Sequence, residues 1–204
     1  MGKGENIIYI TGEMTKPFSL DHTVKGENFY ATSVKVERHS GVIDTIPVIA
    51  SEKQLNGVYG DEGWCASVIG QIRSISQIKL LANSRIDFWD NAYFKENEVS
   101  HVGKVHKVVN LRSPKGNEIT EVIAAVDRGY GKEDYIPCIT WAENARMAKE
   151  LCNGEKVVIK GRLQSREYVK PGHTIPRTAY EVSVSVIYKV KENEDEDKGI
   201  KSGN

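Results

Sequence analysis

The chain has 204 residues, 39% hydrophobic and 27% charged, with 28 Lys and Arg balanced by 28 Asp and Glu. This is a globular composition, neither fibrous nor disordered, and the length allows one large domain or two small ones. No apolar run approaches the roughly 18–20 residues of a membrane helix, and a net charge of zero counts against a strongly cationic binder of nucleic acid.

From the N-terminus, MGKGENII lacks the apolar stretch of a signal peptide. Asn6 to Thr15, Phe29 to Val36, Ile43 to Ala50, Trp64 to Arg73 and Arg85 to Phe94 are rich in β-branched and aromatic residues. Lys25-Gly26, Ser40-Gly41 and Asp61-Glu62-Gly63 separate them as turns, which predicts five strands. A short, weak helix is expected near Ser51 to Asn56. A second set of strands is predicted near Val99 to Val109, Glu118 to Val126, Asp134 to Trp141, Lys156 to Arg166 and Ala179 to Val190. Within the last, Val182, Val184 and Val186 alternate with other residues, a period of two that buries one face. Ala145, Met147, Ala148 and Leu151 form an apolar stripe, so Ala142 to Cys152 is predicted helical. From Lys191 the sequence KENEDEDKGIKSGN has almost no apolar content and is expected to be disordered.

The two sets are copies of each other. Val36, Arg38, Gly41, Asp44, Ile46 and Pro47 recur 90 residues later as Val126, Arg128, Gly131, Asp134, Ile136 and Pro137. Gly26 recurs as Gly116, and Gly12, Gly63 and Gly70 recur one residue further on as Gly103, Gly154 and Gly161. A colinear series of this kind marks tandem units. Five strands with a helix between the third and fourth is the order of an OB fold, a small Greek-key barrel that leaves no open sheet edge. The expected fold is therefore all-β: two tandem five-stranded OB-fold barrels, residues 1–97 and 98–190, each with one short helix between strands 3 and 4, followed by a disordered acidic C-terminal tail, residues 191–204.

The stretch DYIPCITW places Tyr135 and Trp141 on one face of a strand and Ile136, Cys138 and Thr140 on the other. Tyr130 lies in the hairpin GYGKED and Tyr168 follows the fourth strand. Arg128, Lys132, Arg162, Arg166 and Lys170 interleave with these aromatics, and Lys104, Lys107 and Arg112 precede them. Bases stack on aromatic faces while cations follow phosphates, so the combination suits single-stranded nucleic acid. Periodicity alone leaves other readings open: Trp and Tyr also fill cores, strand cations are often solvated, and OB barrels also bind sugars and proteins. Enzymatic readings lack support. The five histidines show no metal-binding spacing, no phosphate-cradling loop is present, and no cofactor is expected. Three cysteines, Cys65, Cys138 and Cys152, form neither a disulfide framework nor a CxxC pair, which fits a reducing cytoplasm.

The ordered segments GKVHKVVNLRSPKGNEITEVIAAVDR, DYIPCITWAENARMAKEL, GEKVVIKGRLQSREY and RTAYEVSVSVI resemble the bacterial single-stranded DNA-binding protein family. The resemblance covers nearly all of the second unit. The first unit looks like the diverged N-terminal unit of two-barrel members from clostridia-type bacteria and their mobile elements. It implies that Tyr135, Trp141 and Tyr168 stack bases, and that Arg128, Arg162 and Arg166 line the groove. In the first unit Ile46, Ser51 and Gln77 stand for the aromatics, while Glu13, Gln71 and Ser76 stand for Lys104, Arg162 and Arg166. That unit is therefore expected to be structural or oligomerising, with Trp64, Phe88 and Trp89 in core or interface positions.

The charge divides the same way. Residues 1–97 hold 10 basic and 12 acidic residues, residues 98–190 hold 15 and 11, and residues 191–204 hold 3 and 5, giving −2, +4 and −2. The expected function is non-enzymatic binding and protection of single-stranded DNA in replication, recombination or repair, in the cytoplasm and at the nucleoid, with no membrane partner. The family typically presents four barrels, which implies a homodimer here. It also usually ends in a Pro-Phe tip that recruits replication and repair proteins, whereas this sequence ends GIKSGN, so recruitment by that route is not expected. Two readings stay open: a tandem-barrel adaptor binding a replication or mobile-element partner with weak nucleic-acid affinity, and single-stranded RNA as the main ligand.

Overall fold

The computed structural model describes residues 5–75, 77–90, 96–112 and 116–190. Its elements, in chain order, are β1 (Asn6–Met14), β2 (Ser19–Val24), β3 (Glu27–Glu37), β4 (Ile43–Ser51), α1 (Glu52–Leu55), β5 (Cys65–Ile75), β6 (Gln77–Ala82) and β7 (Asp87–Trp89). They continue with β8 (Glu96–Arg112), β9 (Glu118–Gly129), β10 (Lys132–Trp141), α2 (Ala142–Lys149), β11 (Lys156–Tyr168) and β12 (Arg177–Lys189). The all-β expectation holds. The tail expected to be disordered, 191–204, lies outside the described residues.

Strand pairing closes two circuits. β1 pairs with β3, β3 with β4, β4 runs parallel to β6, β6 pairs with β5, and β5 returns to β1. The second circuit repeats this as β8, β9, β10, β12 and β11, with β10 and β12 as its parallel pair. Each is the strand order of an OB barrel, with its helix directly after the third ring strand. Alternation fills the interiors: Ile8, Ile10, Ile46, Val48, Ile72 and Leu80 are buried in the first, and Val122, Ala124, Ile136, Ile159, Leu163 and Val182 in the second. Each of these Val, Ile and Leu side chains contributes about 1.5–3 kcal/mol relative to exposure.

The repeated glycines have a steric reason. A Cβ on Gly12 would lie 2.2 Å from the Lys35 carbonyl oxygen, and one on its repeat partner Gly103 would lie 2.7 Å from that of Ala125. For Gly70 and Gly161 the corresponding distances are 2.3 Å to Leu81 and 2.2 Å to Ser183. No side chain fits where one strand crosses so closely over another.

Some element expectations change. The first ring closes through β6, and of Arg85 to Phe94 only Asp87–Trp89 is described as strand, pairing with β5 outside the ring. The physical reason is a tight connection between β5 and β6 whose sequence, SISQIKL, carries no Gly, Pro or Asn to mark it. Strand β2 was not expected; its residues are all exposed, so no apolar alternation betrays it. Helix α2 ends at Lys149 instead of Cys152. Ala145 and Ala148 are buried but Met147 of the expected stripe faces solvent.

The units join about a pseudo-twofold axis. β1 and β8 pair antiparallel, with Ile8 opposite its own repeat partner Val99. Asn6 exchanges hydrogen bonds with the backbone of Ile72, its side-chain amide donating to the carbonyl and its oxygen accepting from the N–H. Asn97 does the same with Leu163. The Arg and Asp of each repeated motif pair within their own unit, and the Asp reaches across the joint to the other unit. Asp44 accepts from Arg38 Nε at 2.7 Å and from the backbone N–H of Ser165 at 2.7 Å. Asp134 accepts from Arg128 Nε at 2.9 Å, Arg73 Nη1 at 3.0 Å and the N–H of Ser74 at 2.7 Å. Burial alone would push both carboxyls up, but the guanidinium and N–H donors outweigh it and hold them below the usual range.

Candidate nucleic-acid interface

Strand β10 has two unlike faces. Ile136, Cys138 and Thr140 point into the barrel and are buried, while Tyr135 and Trp141 stand outward at 42% and 44% exposure. Antiparallel register carries the outward face across its neighbours. Tyr135 sits opposite Ala125, itself opposite Lys104, and Pro137 opposite Ile123, itself opposite Lys107. Ile139, Glu121 and Val109 form the next row, and Trp141, Ile119 and Leu111 the last. On the other flank of β10, Glu181 of β12 is opposite Gln164 of β11, and Arg166 and Tyr168 follow on the same side of β11. The Arg166 guanidinium lies 5.7 Å from the Tyr168 ring centroid, a cation–π contact that pre-orients both. The surface is thus a row of rings and aliphatic side chains edged by cations.

Other expected residues sit at its margins. Tyr130 is fully exposed at the tip of the β9–β10 hairpin, with φ 54° between Gly129 and Gly131. Lys132 opens β10 beside it, and Lys170 is exposed in the β11–β12 connection. The backbone of Arg112 ends β8, and its side chain lies outside the described residues. Arg128 is placed differently from the groove cation expected of it: its guanidinium clamps the buried Asp134 at the joint between units. Arg162 also turns toward the joint, lining a cavity with Arg38, His39 and Asn97, and its buried Nε has no hydrogen-bond partner among the described residues.

Three residues of this face escaped the sequence reading. His106 packs against Tyr135, ring centroids 4.7 Å apart, because a bulge between Val105 and Lys107 turns it outward. Glu121 and Glu181 put carboxylates among the cations. Alternation in β9 marks Glu121 as outward, but only barrel closure brings Glu181 beside it. Elsewhere, Tyr135 Oη donates to Glu133 at 3.0 Å, which raises the phenol's pKa above its ordinary value. His101 and Cys138 are buried in the barrel interior with Nε2 and Sγ 3.6 Å apart. Burial pulls His101 down to about 4 and pushes the Cys138 thiol up, so both are neutral at physiological pH.

Superposing the motifs corrects two counterparts in the first unit. With Asp44 matched to Asp134 and Ser74 to Ser165, Tyr135 corresponds to Thr45 instead of Ile46, and Arg166 to Ile75 instead of Ser76. Trp141 and Tyr168 still correspond to Ser51 and Gln77. The matching face of the first unit is a cleft of about 460 Å³ lined by His22, Phe29, Ile49, Lys79 and Leu81, with Lys79 where the second unit has Glu181. Trp64 and Phe88 pack against the first core.

Residues 96–190 match the model of the single-strand binding protein family. That match spans the second unit, a little under half of the chain. No curated protein sequence matches the chain. Among solved structures, a deletion variant of the single-stranded DNA binding protein from Thermus aquaticus is similar over 97% of this chain and all of its own. It has 18% sequence identity and a TM-score of 0.78. The wild-type protein from the same organism is similar over 99% of this chain and 98% of its own, at 18% identity and a TM-score of 0.76. The similarity of fold to that protein therefore extends over both units here, beyond the segment that the family model matches.

Proposed function

We propose that this chain binds and protects single-stranded DNA without catalysing a reaction, and that its second unit, residues 98–190, supplies the binding face. The observation that carries the reading is the outward row on β10 and its neighbours, where Tyr135 and Trp141 are bounded by Lys104, Lys107 and the Arg166–Tyr168 pair. Stacking needs exposed rings and phosphate contact needs cations at their edge, and this face offers both. Lys104, Lys107, Lys132 and Lys170 are cations available to phosphate, with Arg166 beside them, half exposed although paired with Glu181 at 3.4 Å; Arg128 is engaged elsewhere. With about four or five phosphate contacts, binding of oligo-dT should weaken roughly 50- to 100-fold between about 50 and about 200 mM salt. A filter-binding titration at stepped salt measures this, and absence of saturable binding at low salt overturns the reading. Roles in replication, recombination or repair, in the cytoplasm and at the nucleoid, follow from coating exposed strands.

The first unit, residues 1–97, acts in this reading as a structural partner. A second copy of the chain completes a set of four barrels. The outer surface of the continuous sheet β5, β1, β8, β11 and β12 supports it, because Ile7, Ile69, Val186 and Tyr188 are each more than two-fifths exposed there. Sedimentation of the free protein should give twice the chain mass. Ile7→Lys with Val186→Lys should return it to the monomer, and a wild-type monomer at micromolar concentration would remove the dimer from the account.

A further inference from the structure

Glu121 stands in the middle of the candidate binding face. Its register partner on β10 is Ile139 and on β8 is Val109, so its side chain rises two residues from Ile119, in the row of Trp141, and two from Ile123, in the row of Pro137. It is half-buried, and no hydrogen bond reaches its carboxylate among the described residues. The charged groups around it come from three strands: Glu181 of β12, Arg166 of β11 and Lys107 of β8, while β10 contributes only Pro137, Ile139 and Trp141 beside it. Burial first, and then the charge of Glu181, push the Glu121 carboxyl up, with Arg166 and Lys107 opposing. A carboxylate so placed is at odds with a surface meant only for phosphates and ring faces.

A base stacked over this row covers Glu121 further. If the base offers an N–H donor at its edge, the carboxylate exchanges water for a charge-assisted hydrogen bond. Otherwise the charge is left dry and facing a carbonyl, and a site built to pair with a donor discriminates against a ligand that lacks one. Cytosine presents its N4 amino group, which Glu and Asp accept from, whereas thymine presents O4 at the same place.

We propose that Glu121 is a base-selecting residue of this face, accepting a hydrogen bond from the exocyclic amino group of a stacked base and so favouring cytosine over thymine. The assignment rests on the reading of this unit as a single-strand binder. In the first unit the register partner of Ile49 is Ala31, so the selection belongs to the second unit alone.

The test compares oligo-dC with oligo-dT of equal length on the full chain, at matched salt and pH 7.5. Wild-type protein should bind oligo-dC about tenfold more tightly, 1.4 kcal/mol, within the range of a single base contact. Glu121→Gln, whose amide both donates and accepts, should bring the ratio to within about twofold. Glu121→Thr, a good strand former, should do the same. Removing a negative charge strengthens binding to both oligomers through phosphate, and that gain cancels in the ratio. As pH falls and Glu121 takes up a proton, its carboxyl gains a donor for thymine O4, so the wild-type ratio should narrow while that of Glu121→Gln stays unchanged. Equal wild-type affinities, or a ratio that survives Glu121→Gln, overturn the assignment and leave single-strand binding standing. Failure to bind either oligomer overturns both.

Discussion

Replacing Asp134 by Ala should destabilise the chain by about 3–5 kcal/mol in a denaturant melt, more than any single exposed ion pair accounts for. The carboxylate is fully buried and answers five donors: Arg128 Nε and Nη2, Arg73 Nη1, and the backbone N–H and hydroxyl of Ser74. Removing it strands two guanidiniums that are each less than a quarter exposed, along with an N–H from the other unit. The desolvation penalty is then incurred without the compensating charge. Asp44→Ala should cost somewhat less, since Arg38 and Ser165 repeat the arrangement across the pseudo-twofold axis without a counterpart of Arg73. A loss under about 1 kcal/mol for both would show that the joint is held by β1–β8 pairing alone. The acid limb of stability carries the same signature. Both carboxyls have folded pKa values below their unfolded ones, so they stabilise the fold above pH about 4 and lose that contribution as pH falls through the folded value. His101, buried neutral at about 4 against an ordinary 6.5, adds a loss that begins earlier, between those two values. Asp134→Ala should be less stable at neutral pH yet flatter below pH about 4.

Changing Trp141 and Tyr168 together to Ala should weaken oligo-dT binding by about 2–6 kcal/mol, roughly 30-fold to more than a thousandfold, if each stacks one base. Both side chains leave the barrel core untouched: Trp141 points outward at the end of β10, and Tyr168 lies under Arg166 at the end of β11. Stability should therefore change little, and circular dichroism should be unaltered. Trp141 supplies an independent readout, because the other two tryptophans, Trp64 and Trp89, are partly buried in the first unit. Quenching of tryptophan fluorescence on adding oligo-dT should disappear in Trp141→Ala alone. Unchanged affinity in the double variant, with the fold intact, would place the bases on another surface.

Legibility in the sequence followed the physics of each element. The β10 strand was plain, since Ile136, Cys138 and Thr140 alternate with Tyr135, Pro137 and Trp141 and burial depends on that period. The crossover glycines were visible as matched landmarks, and their meaning, carbonyl oxygens less than 3 Å from a would-be Cβ, emerged with the strands in place. β2 and β6 were missed for opposite reasons. β2 is exposed throughout and is held by backbone pairing with β3, so it has no hydrophobic pattern. β6 has the pattern, with Ile78, Leu80 and Ala82 buried, but abuts β5 without a turn residue to divide them.

A zero net charge initially counted against nucleic acid, and its division into −2, +4 and −2 located the positive barrel from composition alone. Repeat, fold class and the outward aromatics were likewise local properties: periodicity two, turn residues, and landmarks in order. Which cation serves which purpose was not local. Arg128 and Arg166 look alike along the chain, yet Arg128 is held by a buried carboxylate at the joint between units and mostly covered, while Arg166, paired with Glu181, stays half exposed against a tyrosine ring on the open face. The difference arises from residues on other strands: Arg73 and Ser74, 61 and 60 positions from Asp134, complete the site of Arg128's partner, and Glu181 of β12, 15 positions on, meets Arg166. Charge is written in composition, but its availability depends on what the folded chain places opposite it.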